Sequence, residues 1–372
     1  MGKAAGQPKW IDWSPRIWLG CDLFAWLRLI WLGRFRFGWR ELRLLPIGTM
    51  FAAGHTLLRY AQEQQFGDAI RATRLDKPPV FILGHWRSGT TLLHELLVQD
   101  PRHNFPNTYQ CFDPCHFLLT EKLIRKYFTW ILPETRAIDN MAVGWDRPQE
   151  DEFALALLGA PSPYYGIAFP NSGMLNADAF DLDNLPRRVR DRWKRTLLWF
   201  LKAIALRDSR RLILKSPPHT CRIPTLLEMF PDARFVHIVR DPFAVYSSTM
   251  NLWKTLFRTQ GMHRPNPAGN EEDIFKMFLH FHRRLDSTRQ LIPEGSFHEL
   301  KFEDLTRDPV SEIRQLYDRL DLGDFESVRP HVERYLTENA RYERNKWELT
   351  PEKRAEIALR WASIIDRLGY ER

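Results

Sequence analysis

The stretch at residues 84–91, GHWRSGTT, combines the residue types that bind an anion through the backbone. Gly84 and Gly89 allow the chain to curl closely around a bound group, because neither has a side chain in the way. The side chains that can donate hydrogen bonds from this stretch are those of Arg87, Ser88, Thr90 and Thr91. The sequence therefore predicts an anion-binding loop.

The spacing of the two glycines matches a nucleoside-triphosphate loop, in which a lysine follows the second glycine. Thr90 stands at that position here, and no convincing magnesium-binding aspartate follows a later strand. Triphosphate hydrolysis is therefore disfavoured. A nucleotide or sugar kinase with a degenerate loop stays open as an alternative, and it predicts ATP binding and magnesium dependence.

A second group of candidate residues lies in VRDPFAVYSS, at 239–248. Arg240 is expected at the end of a strand, and Pro242 at the start of the following helix. Ser247 and Ser248 would then lie roughly two turns along that helix. An arginine and a serine placed in this way can converge on one phosphate group.

These stretches must be positioned by a sheet, and the apolar pattern predicts one. Short β-rich runs over 78–84, 210–216, 233–240 and 296–305 predict four strands. Helices are predicted over Thr90–Asp100, 186–208, Pro242–Phe257, 271–292 and 350–369, the last with Thr350 as N-cap. Strands that alternate with helices favour a mainly parallel sheet covered on both faces.

The N-terminal region is rich in tryptophan, leucine and arginine. Its apolar run from Ile17 to Gly33 contains Asp22 and Arg28 and is shorter than the ~20 residues that span a bilayer. We expect neither a membrane-spanning helix nor a cleaved signal peptide. Two interpretations stay open: residues 10–45 lie in a lipid interface, or they form a helical pair that buries its tryptophans on the main domain.

Composition excludes several classes of function. A net charge of +8 suits an anionic small molecule or a membrane surface, and no nucleic-acid-binding signature is present, so we expect no nucleic-acid partner. The four cysteines form no disulfide framework, which favours a reducing, cytoplasmic setting. Cys111 and Cys115 lack a second pair to complete a zinc site, so we predict no metal.

Taken together, GHWRSGTTLL and VRDPFAVYSS resemble the motifs of the sulfotransferase family, and DRPQEDEFAL at 146–155 is similar to its bacterial-type branch. LKSPPHT at 214–220 and LKFEDL at 300–305 also match. The resemblance covers residues 78 to 310. It implies a three-layer P-loop-like α/β fold and transfer of a sulfuryl group from 3'-phosphoadenosine 5'-phosphosulfate to a hydroxyl or amine.

The resemblance also implies roles for individual residues. Ser88, Gly89, Thr90 and Thr91 would hold the 5'-phosphate, with Arg87 beside the transferring group. Arg240 and Ser248 would hold the 3'-phosphate. Two features depart from the family pattern. Leu92 stands where many cytosolic members have an adenine-stacking tryptophan, and the C-terminal phosphate loop is missing, with Arg344 and Lys346 as the nearest substitutes.

Sulfuryl transfer needs cations near the departing oxygen and a base for the acceptor. Arg87 and Lys215 are the candidate cations. His219 is the first candidate base because imidazole titrates in the useful range. The alternative base is one of three adjacent acids, Glu150, Asp151 and Glu152. Of these, Glu152 is included among the predicted catalytic residues. His85 and His94 are expected to point away from the reaction.

We predict a Trp/Arg-rich helical extension over 1–76, an α/β core over 77–325 and a helical segment over 326–372. The aromatic N-terminal region and residues 161–173 are expected to line an apolar acceptor groove. The acceptor is a small molecule, a lipid alcohol or a glycan. A non-catalytic, membrane-peripheral scaffold that binds anions is the remaining alternative.

Overall fold

The computed structural model describes residues 16–39, 41–128, 144–172, 176–263, 265–266, 270–340 and 348–372. The expected substitutes for the missing phosphate loop, Arg344 and Lys346, lie outside the described residues, as do residues 10–15 of the predicted membrane-contacting stretch.

The described helices are, in chain order, α1 (Leu23–Leu32), α2 (Leu44–Ala72), α3 (Thr90–Leu97), α4 (Thr108–Phe112), α5 (Phe117–Tyr127), α6 (Asp151–Leu157), α7 (Tyr165–Ala168), α8 (Arg187–Ala205), α9 (Ile223–Met229), α10 (Pro242–Gln260), α11 (Asn270–Thr288), α12 (Phe302–Arg307), α13 (Pro309–Leu320), α14 (Arg329–Glu338), α15 (Pro351–Arg360) and α16 (Ala362–Leu368).

Five parallel strands form one sheet in the order β2-β3-β1-β4-β5. The strands are β1 (Val80–Leu83), β2 (His103–Asn104), β3 (Arg211–Lys215), β4 (Arg234–Val239) and β5 (Phe297–Lys301). The predicted parallel sheet is confirmed. The two-residue strand β2 was not predicted, because a pair of polar residues gives no strand pattern.

The central strand β1 is buried on both faces, and its side chains alternate between two cores. Phe81 and Leu83 pack with α8 and α9 on one face of the sheet. Val80 and Ile82 pack with α3, α13 and α14 on the other. The continuous apolar run that predicted a buried strand therefore contributes side chains to both cores. Helices cover both faces of the sheet, which gives the three-layer α/β fold.

Helix ends follow the capping residues in the sequence. The Asp241 side chain accepts a hydrogen bond from the Phe243 backbone, and Pro242 occupies the first position of α10. Thr350 caps α15 as predicted. The single helix predicted over 350–369 is instead two helices, because Trp361 interrupts it, stacks on Phe278 and donates to the Phe275 carbonyl.

The strand predicted over 296–305 is also shorter than expected. β5 ends at Lys301, and α12 begins at Phe302, whose ring turns inward toward the sheet. The other strands and helices that were predicted are present, with ends shifted by a few residues. Residues 271–292 form α11 followed by a 3-10 turn at Arg289–Leu291.

The N-terminal region is helical, as predicted. Trp18 and Trp26 are buried, and the Trp26 indole packs on Gly48 of α2, where a Cβ would lie 2.5 Å from its Cζ2. Trp31 and Trp39 are exposed. No helix among the described residues is both long enough and apolar enough to cross a membrane.

Packing crosses both of the predicted domain boundaries. The N-terminal Trp18 and Trp26 share one apolar cluster with Phe243 of α10 and Trp361 near the C-terminus. Val332 of α14 lies in the cluster under the sheet. The divisions at 76 and 325 stay predictions about the chain, and the cores do not follow them.

Candidate active site

The candidate site lies at the carboxyl ends of β1 and β4. From β1 the chain leads to β2 on one side of the sheet, and from β4 it leads to β5 on the other. Ligands of open α/β sheets bind where neighbouring connections diverge in this way. The loop at 84–89 follows β1, and Arg240 follows β4, so both predicted anion-binding stretches meet at this point.

Backbone geometry explains the two glycines of the loop. Gly84 has φ 148°, and a Cβ there would lie 2.8 Å from the Ile238 carbonyl oxygen. Gly89 has φ 105° and caps α3. Arg87 between them has φ 69°, which is costly for a residue with a side chain and is typical of functional sites. The loop is therefore held in a strained curve before the N-terminus of α3.

The guanidinium group of Arg87 joins the two stretches. Its Nε donates to the Ser248 Oγ at 2.7 Å, across 161 residues of sequence. Arg240 donates from Nη1 to the Arg87 carbonyl at 3.1 Å, and its guanidinium lies 4.5 Å from the centre of the Phe302 ring. We refer to Arg87, Arg240 and Ser248 as the clamp. The structure brings these three predicted residues together.

The remaining loop residues lie as a helix N-terminus requires. Thr90 and Thr91 form the first turn of α3, whose backbone N–H groups have no acceptor within the helix. The Ser88 hydroxyl donates to the His85 carbonyl at 2.8 Å, inside the loop. Ser88 and Thr90 are buried and Thr91 is half-buried. The N-terminal end of α3 thus presents N–H groups and a positive dipole toward the loop.

Two residues that support the loop were not predicted. The Thr220 Oγ1 accepts a hydrogen bond from the Gly84 backbone at 2.8 Å, which ties the loop to the turn at 217–221. The Phe302 ring fills the space beside Gly89, where a Cβ would lie 2.2 Å from its Cδ2. The motif LKFEDL contained Phe302, but only the fold shows that it packs under the loop.

Lys215 ends β3, beside β1, and its side chain is 2% exposed. Its Nζ donates to the Glu150 Oε1 at 2.8 Å. The Tyr164 hydroxyl donates to the other oxygen, Oε2. Glu150 is the residue that precedes α6, and its carboxylate retains some exposure, so these three groups form a polar cluster at the same edge of the sheet as the clamp.

The structure places His219, the first candidate base, in the interior. Its side chain is 0% exposed, and its Nε2 lies 2.7 Å from the Asp151 Oδ2. Its ring makes edge-to-face contacts with the rings of Phe81 and Trp193, at centroid distances of 5.4 and 6.3 Å. The side chains of His219 and Asp151 are both fully buried, a placement that does not favour the expected role of His219 as the base, which stays a prediction. The Asp151 pKa is lowered, although burial alone raises it, because His219 and Ser216 bond its carboxylate.

Glu152 is also buried, so its role as a base stays a prediction that this placement does not favour. Its carboxylate bonds the guanidinium of Arg222, and one of its oxygens accepts from the Ser162 hydroxyl at 2.6 Å. Arg222 in turn donates to the Ala179 carbonyl. A buried ion pair that is saturated with hydrogen bonds has a structural role, since its carboxylate has no accessible oxygen.

His85 and His94 face the interior, as expected. Burial lowers the His85 pKa to about 4, partly offset by its bond with the Trp86 carbonyl. Burial lowers the His94 pKa to about 3, and the nearby Lys215 charge contributes. Both side chains are therefore neutral imidazoles at neutral pH, and they add no charge to the loop.

Two groups of residue types that can ligate metals are present among the described residues, and neither shares a residue with the clamp. They are His55, Asp113 and His116, and Asp181, Cys221 and His280. In the first group the His55 Nδ1 and His116 Nε2 lie 2.5 Å apart with nearly coplanar rings, so they form a hydrogen bond with each other. In the second, His280 pairs with Asp181 at 2.8 Å.

The loop and clamp suit a phosphate-bearing donor. The backbone of Gly84 can approach Ser88 closely because glycine has no Cβ, which would lie 2.7 Å from the Ser88 Oγ. Two guanidinium groups and the hydroxyl of Ser248 lie beside it, and these are donor types that phosphate oxygens accept. Phosphate binding at this edge is therefore consistent with the donor groups present.

Comparisons with known proteins agree with this chemistry. The model of the sulfotransferase family matches residues 78–327. The chain is 42% identical, over 98% of its own length and 94% of the relative's, to omega-hydroxy-beta-dihydromenaquinone-9 sulfotransferase Stf3 of Mycobacterium tuberculosis. It is 26% identical to human carbohydrate sulfotransferase 6, over 64% of this chain and 62% of that one.

Solved structures show the same fold. Sulfotransferase STF9 from Mycobacterium avium matches with a TM-score of 0.64 and 20% identity, over 85% of this chain and 82% of that chain. Sulfotransferase STF1 from Mycobacterium tuberculosis matches with a TM-score of 0.59 and 18% identity, over 87% and 85%. The chain belongs to the sulfotransferase family and is an enzyme that transfers sulfuryl groups.

Proposed function

We propose that this sulfotransferase moves a sulfuryl group from 3'-phosphoadenosine 5'-phosphosulfate to the hydroxyl group of a lipid alcohol, with Glu150 as the base. The observation that carries the proposal is the pair formed by Lys215 and Glu150, which lies at the same edge of the sheet as the clamp. This edge therefore combines donors for phosphate, a cation for the departing oxygen and a partly exposed carboxylate.

The donor, which supplies the sulfuryl group, would be held by the loop and the clamp. The N–H groups at the start of α3, with Ser88, Thr90 and Thr91, would bind its 5'-phosphate. Arg240 and Ser248 would bind its 3'-phosphate, the group that distinguishes this donor from ATP. Two contacts support this assignment: Ser248 accepts a hydrogen bond from the Arg87 Nε, and Arg240 donates to the Arg87 carbonyl, so both side chains lie beside the loop.

Arg87 and Lys215 would stabilise the negative charge that develops on the departing oxygen. Such charge stabilisation by fixed donors is the largest contribution in many transfer reactions. Lys215 suits the role because it is nearly buried, and a cation acts more strongly where water is excluded. Its bond to Glu150 fixes the ammonium at the strand end, so little reorganisation is needed during the reaction.

Glu150 would accept the proton of the acceptor hydroxyl. Of the three adjacent acids, Asp151 is paired with His219 and Glu152 with Arg222, both in the interior. Glu150 alone among the three carries a side chain with measurable exposure, 13%. Lys215 and Tyr164 bond its two oxygens and hold the carboxylate in one orientation, which is the geometry a base needs before proton transfer.

Aromatic side chains lead away from Glu150 and support a lipid acceptor. The Trp86 indole donates to the Tyr164 hydroxyl at 3.3 Å, and the Phe153 ring lies 4.9 Å from that of Tyr164. Phe112 lies 5.3 Å from Phe153, and both are partly exposed. We refer to Trp86, Tyr164, Phe153 and Phe112 as the aromatic path. A path lined by aromatic rings with few polar groups suits a hydrocarbon chain, because ligand sites bury apolar surface against such side chains.

The relative with 42% identity bears the name of an enzyme that acts on a hydroxylated menaquinone, which is a lipid. From residues 161–173, expected in the acceptor groove, Tyr164 joins the aromatic path. Tyr165 and Phe169 pack instead in the core with Trp18 and Phe37, and residue 173 lies outside the described residues. The acceptor class therefore rests on Tyr164 and its neighbours rather than on the whole segment.

Transfer of labelled sulfate tests the proposal. The purified chain receives sulfur-labelled donor with a short isoprenoid alcohol, a long-chain isoprenoid alcohol or N-acetylglucosamine, without metal. We expect label in both alcohols and none in the sugar. Label in the sugar alone would replace the lipid acceptor with a glycan. Phosphorylation with ATP and magnesium would restore the kinase alternative, and donor binding without any transfer would restore the anion-binding scaffold.

A further inference from the structure

We infer that the outer surface of α1 and α2 docks the enzyme on an anionic lipid bilayer, an inference that rests on the proposed lipid acceptor. This docking face is formed by exposed apolar side chains of the two helices and their connection. Its members are Phe24, Leu27, Trp31, Phe35, Ile47, Met50, Phe51, Leu57 and Leu58.

Helical spacing puts these side chains on one surface. In α1, Phe24, Leu27 and Trp31 recur at intervals of three and four and point outward, while Ala25 and Trp26 on the opposite side are buried. In α2, Leu57 is 73% exposed, and a Cβ at the neighbouring Gly54 would meet no atom within 4 Å. The two helices therefore carry an apolar face that nothing in the described chain covers.

The charge around the docking face identifies its partner. Residues 16–60 contain seven arginines and two acidic residues. Arg34, Arg36 and Arg43 are exposed where α1 leads to α2. Anionic headgroups attract such a cluster by about 1 kcal/mol for each arginine, or about five-fold in binding.

Tryptophans add a second preference for a bilayer. Trp31 is 69% exposed and Trp39 is 85% exposed, and both lie at the arginine-rich end of the docking face. The indole ring combines an apolar body with an N–H group, and it is enriched at the depth of lipid headgroups. The two tryptophans and the arginines therefore point to an interface that is apolar on one side and anionic on the other.

A second copy of this chain is a poorer occupant. Two-fold pairing through the docking face would bring the same arginines of both copies toward each other. Like charges at an interface oppose association. Too few exposed acids are present to neutralise these arginines. Residues 16–60 contain only two acids, Asp22 and Glu41, and Asp22 is buried.

The docking face adjoins the aromatic path. The Phe24 ring lies 3.4 Å from the Cβ position of Gly159, just beyond the end of α6. Glu150 precedes the other end of α6, whose seven residues span about 10 Å. Gly20, just before α1, lies against the carbonyl of Phe112. An isoprenoid chain can therefore stay in the bilayer while its hydroxyl group reaches Glu150.

Vesicle flotation tests the docking face. The full chain is mixed with vesicles of phosphatidylcholine alone or with one third phosphatidylglycerol, and the fraction that floats is measured. We expect flotation with the anionic vesicles. Leu57→Gln should lose at least about ten-fold in partitioning, since it removes one leucine side chain that docking would bury in the bilayer. Leu359→Gln is the matched control, because Leu359 is also exposed, at 80%, and lies outside the docking face.

The charge contribution is tested separately. Arg34→Gln with Arg36→Gln should lower partitioning on anionic vesicles by about twenty-five-fold, since each arginine contributes about five-fold. Arg187→Gln with Arg188→Gln, on exposed positions of α8, is the matched control and should leave partitioning unchanged. An equal loss of partitioning in both double variants would mean that net charge alone drives binding. That result would contradict docking through α1 and α2.

Activity separates this inference from the proposed function. Leu57→Gln should sulfate a short, water-soluble isoprenoid alcohol as the wild type does, and should lose at least about ten-fold with a long alcohol embedded in vesicles. Sulfation of both alcohols without flotation would overturn the docking face and leave the proposed function intact. Flotation without sulfation of any alcohol would contradict the proposed acceptor instead. A stable dimer that binds no vesicles would assign the face to a second copy.

Discussion

Lys215 and Glu150 lie 65 residues apart in sequence, yet the Lys215 ammonium donates to the Glu150 carboxylate at 2.8 Å. The acids that follow Glu150 each have another partner: Asp151 bonds His219, and Glu152 bonds Arg222. Three consecutive acids thus have three different environments. Only the first combines a cation at the sheet edge with partial exposure, and the assignment of the base depends on that difference.

Replacing Glu150 tests its assignment as the base. Glu150→Gln keeps the shape of the side chain and removes its basicity, so kcat should fall by about 10²–10⁴-fold. The free energy of unfolding should also fall, because the nearly buried Lys215 loses its charged partner, but by less than for a fully buried pair, since the Glu150 side chain is 13% exposed. Steady-state kinetics and urea unfolding of the same preparation measure both quantities.

Glu152→Gln is the matched control for that variant. It leaves the buried Arg222 without its charged partner, which costs about 3–5 kcal/mol of unfolding free energy. The remaining folded enzyme should keep its kcat. His219→Asn should lower kcat less than Glu150→Gln does. An equal loss of kcat without loss of stability would contradict the assignment of Glu150 as the base and favour His219.

Gly89→Ala should destabilise the loop. Its φ of 105° is unfavourable for alanine, and the added methyl group would lie 2.2 Å from the Phe302 Cδ2. Overpacking of this kind typically costs about 1–3 kcal/mol, and the melting temperature should fall accordingly. Donor binding should weaken as well, because the methyl group shifts the backbone of residue 89, which is the N-cap of α3.

Gly54→Ala should raise the free energy of unfolding, whereas Gly89→Ala should lower it. Gly54 lies within α2, and its Cβ would meet nothing within 4 Å. Alanine there removes conformational freedom from the unfolded chain and should stabilise the protein by about 0.5–1 kcal/mol. Equal effects of the two variants in thermal unfolding would show that neither the φ of Gly89 nor its contact with Phe302 matters.

The buried His85 predicts a pH dependence of stability. Its pKa is lowered by burial from 6.5 to about 4, so the unfolded chain binds the additional proton between these values. Its contribution is complete above pH 6.5 and is lost as the pH falls toward 4, by up to about 3 kcal/mol at 1.36 kcal/mol for each pKa unit. Urea unfolding at pH 7, 6 and 5 should show this loss.

His85→Asn keeps a donor for the Trp86 carbonyl and removes the titrating group. The slope of unfolding free energy against pH should then decrease by up to about 1.4 kcal/mol per pH unit, the value for one proton. His94, with a pKa of about 3, acts in the same direction, so a smaller slope remains. An unchanged slope in the variant would contradict the burial of a neutral His85.

The sequence predicts the sheet and the loop because both depend on local pattern. The apolar run before Gly84 and the helix-starting Thr90 place the loop between β1 and α3, without knowledge of the fold. The resemblance to a family assigns the stretches that contain Arg87 and Ser248 to one donor, but it does not predict the hydrogen bond between these two side chains. Only the fold establishes that the two side chains touch.

Burial decides what the sequence could not. His219 and Glu152 have the residue types that act as bases, but the turn at 217–221 and the pairing with Arg222 put both in the interior. The exposed Trp31 and the buried Trp26 lie in the same apolar run, and only the packing of Gly48 against Trp26 separates them. Nothing in the local sequence indicates which of these two tryptophans is buried.

Binding of 3',5'-adenosine bisphosphate to Ser248→Ala tests the clamp most directly, with Ser247→Ala as the control. The Ser247 hydroxyl donates to the Phe243 carbonyl within α10, whereas the Ser248 hydroxyl bonds Arg87. Loss of a hydrogen bond to a charged group costs about 1.5–3 kcal/mol. We predict that Ser248→Ala raises the Kd for the bisphosphate about ten-fold or more, leaves the Kd for adenosine 5'-phosphate unchanged, and that Ser247→Ala changes neither. Equal weakening of both ligands by Ser248→Ala, or no weakening at all, would contradict the assignment of Arg240 and Ser248 to the 3'-phosphate.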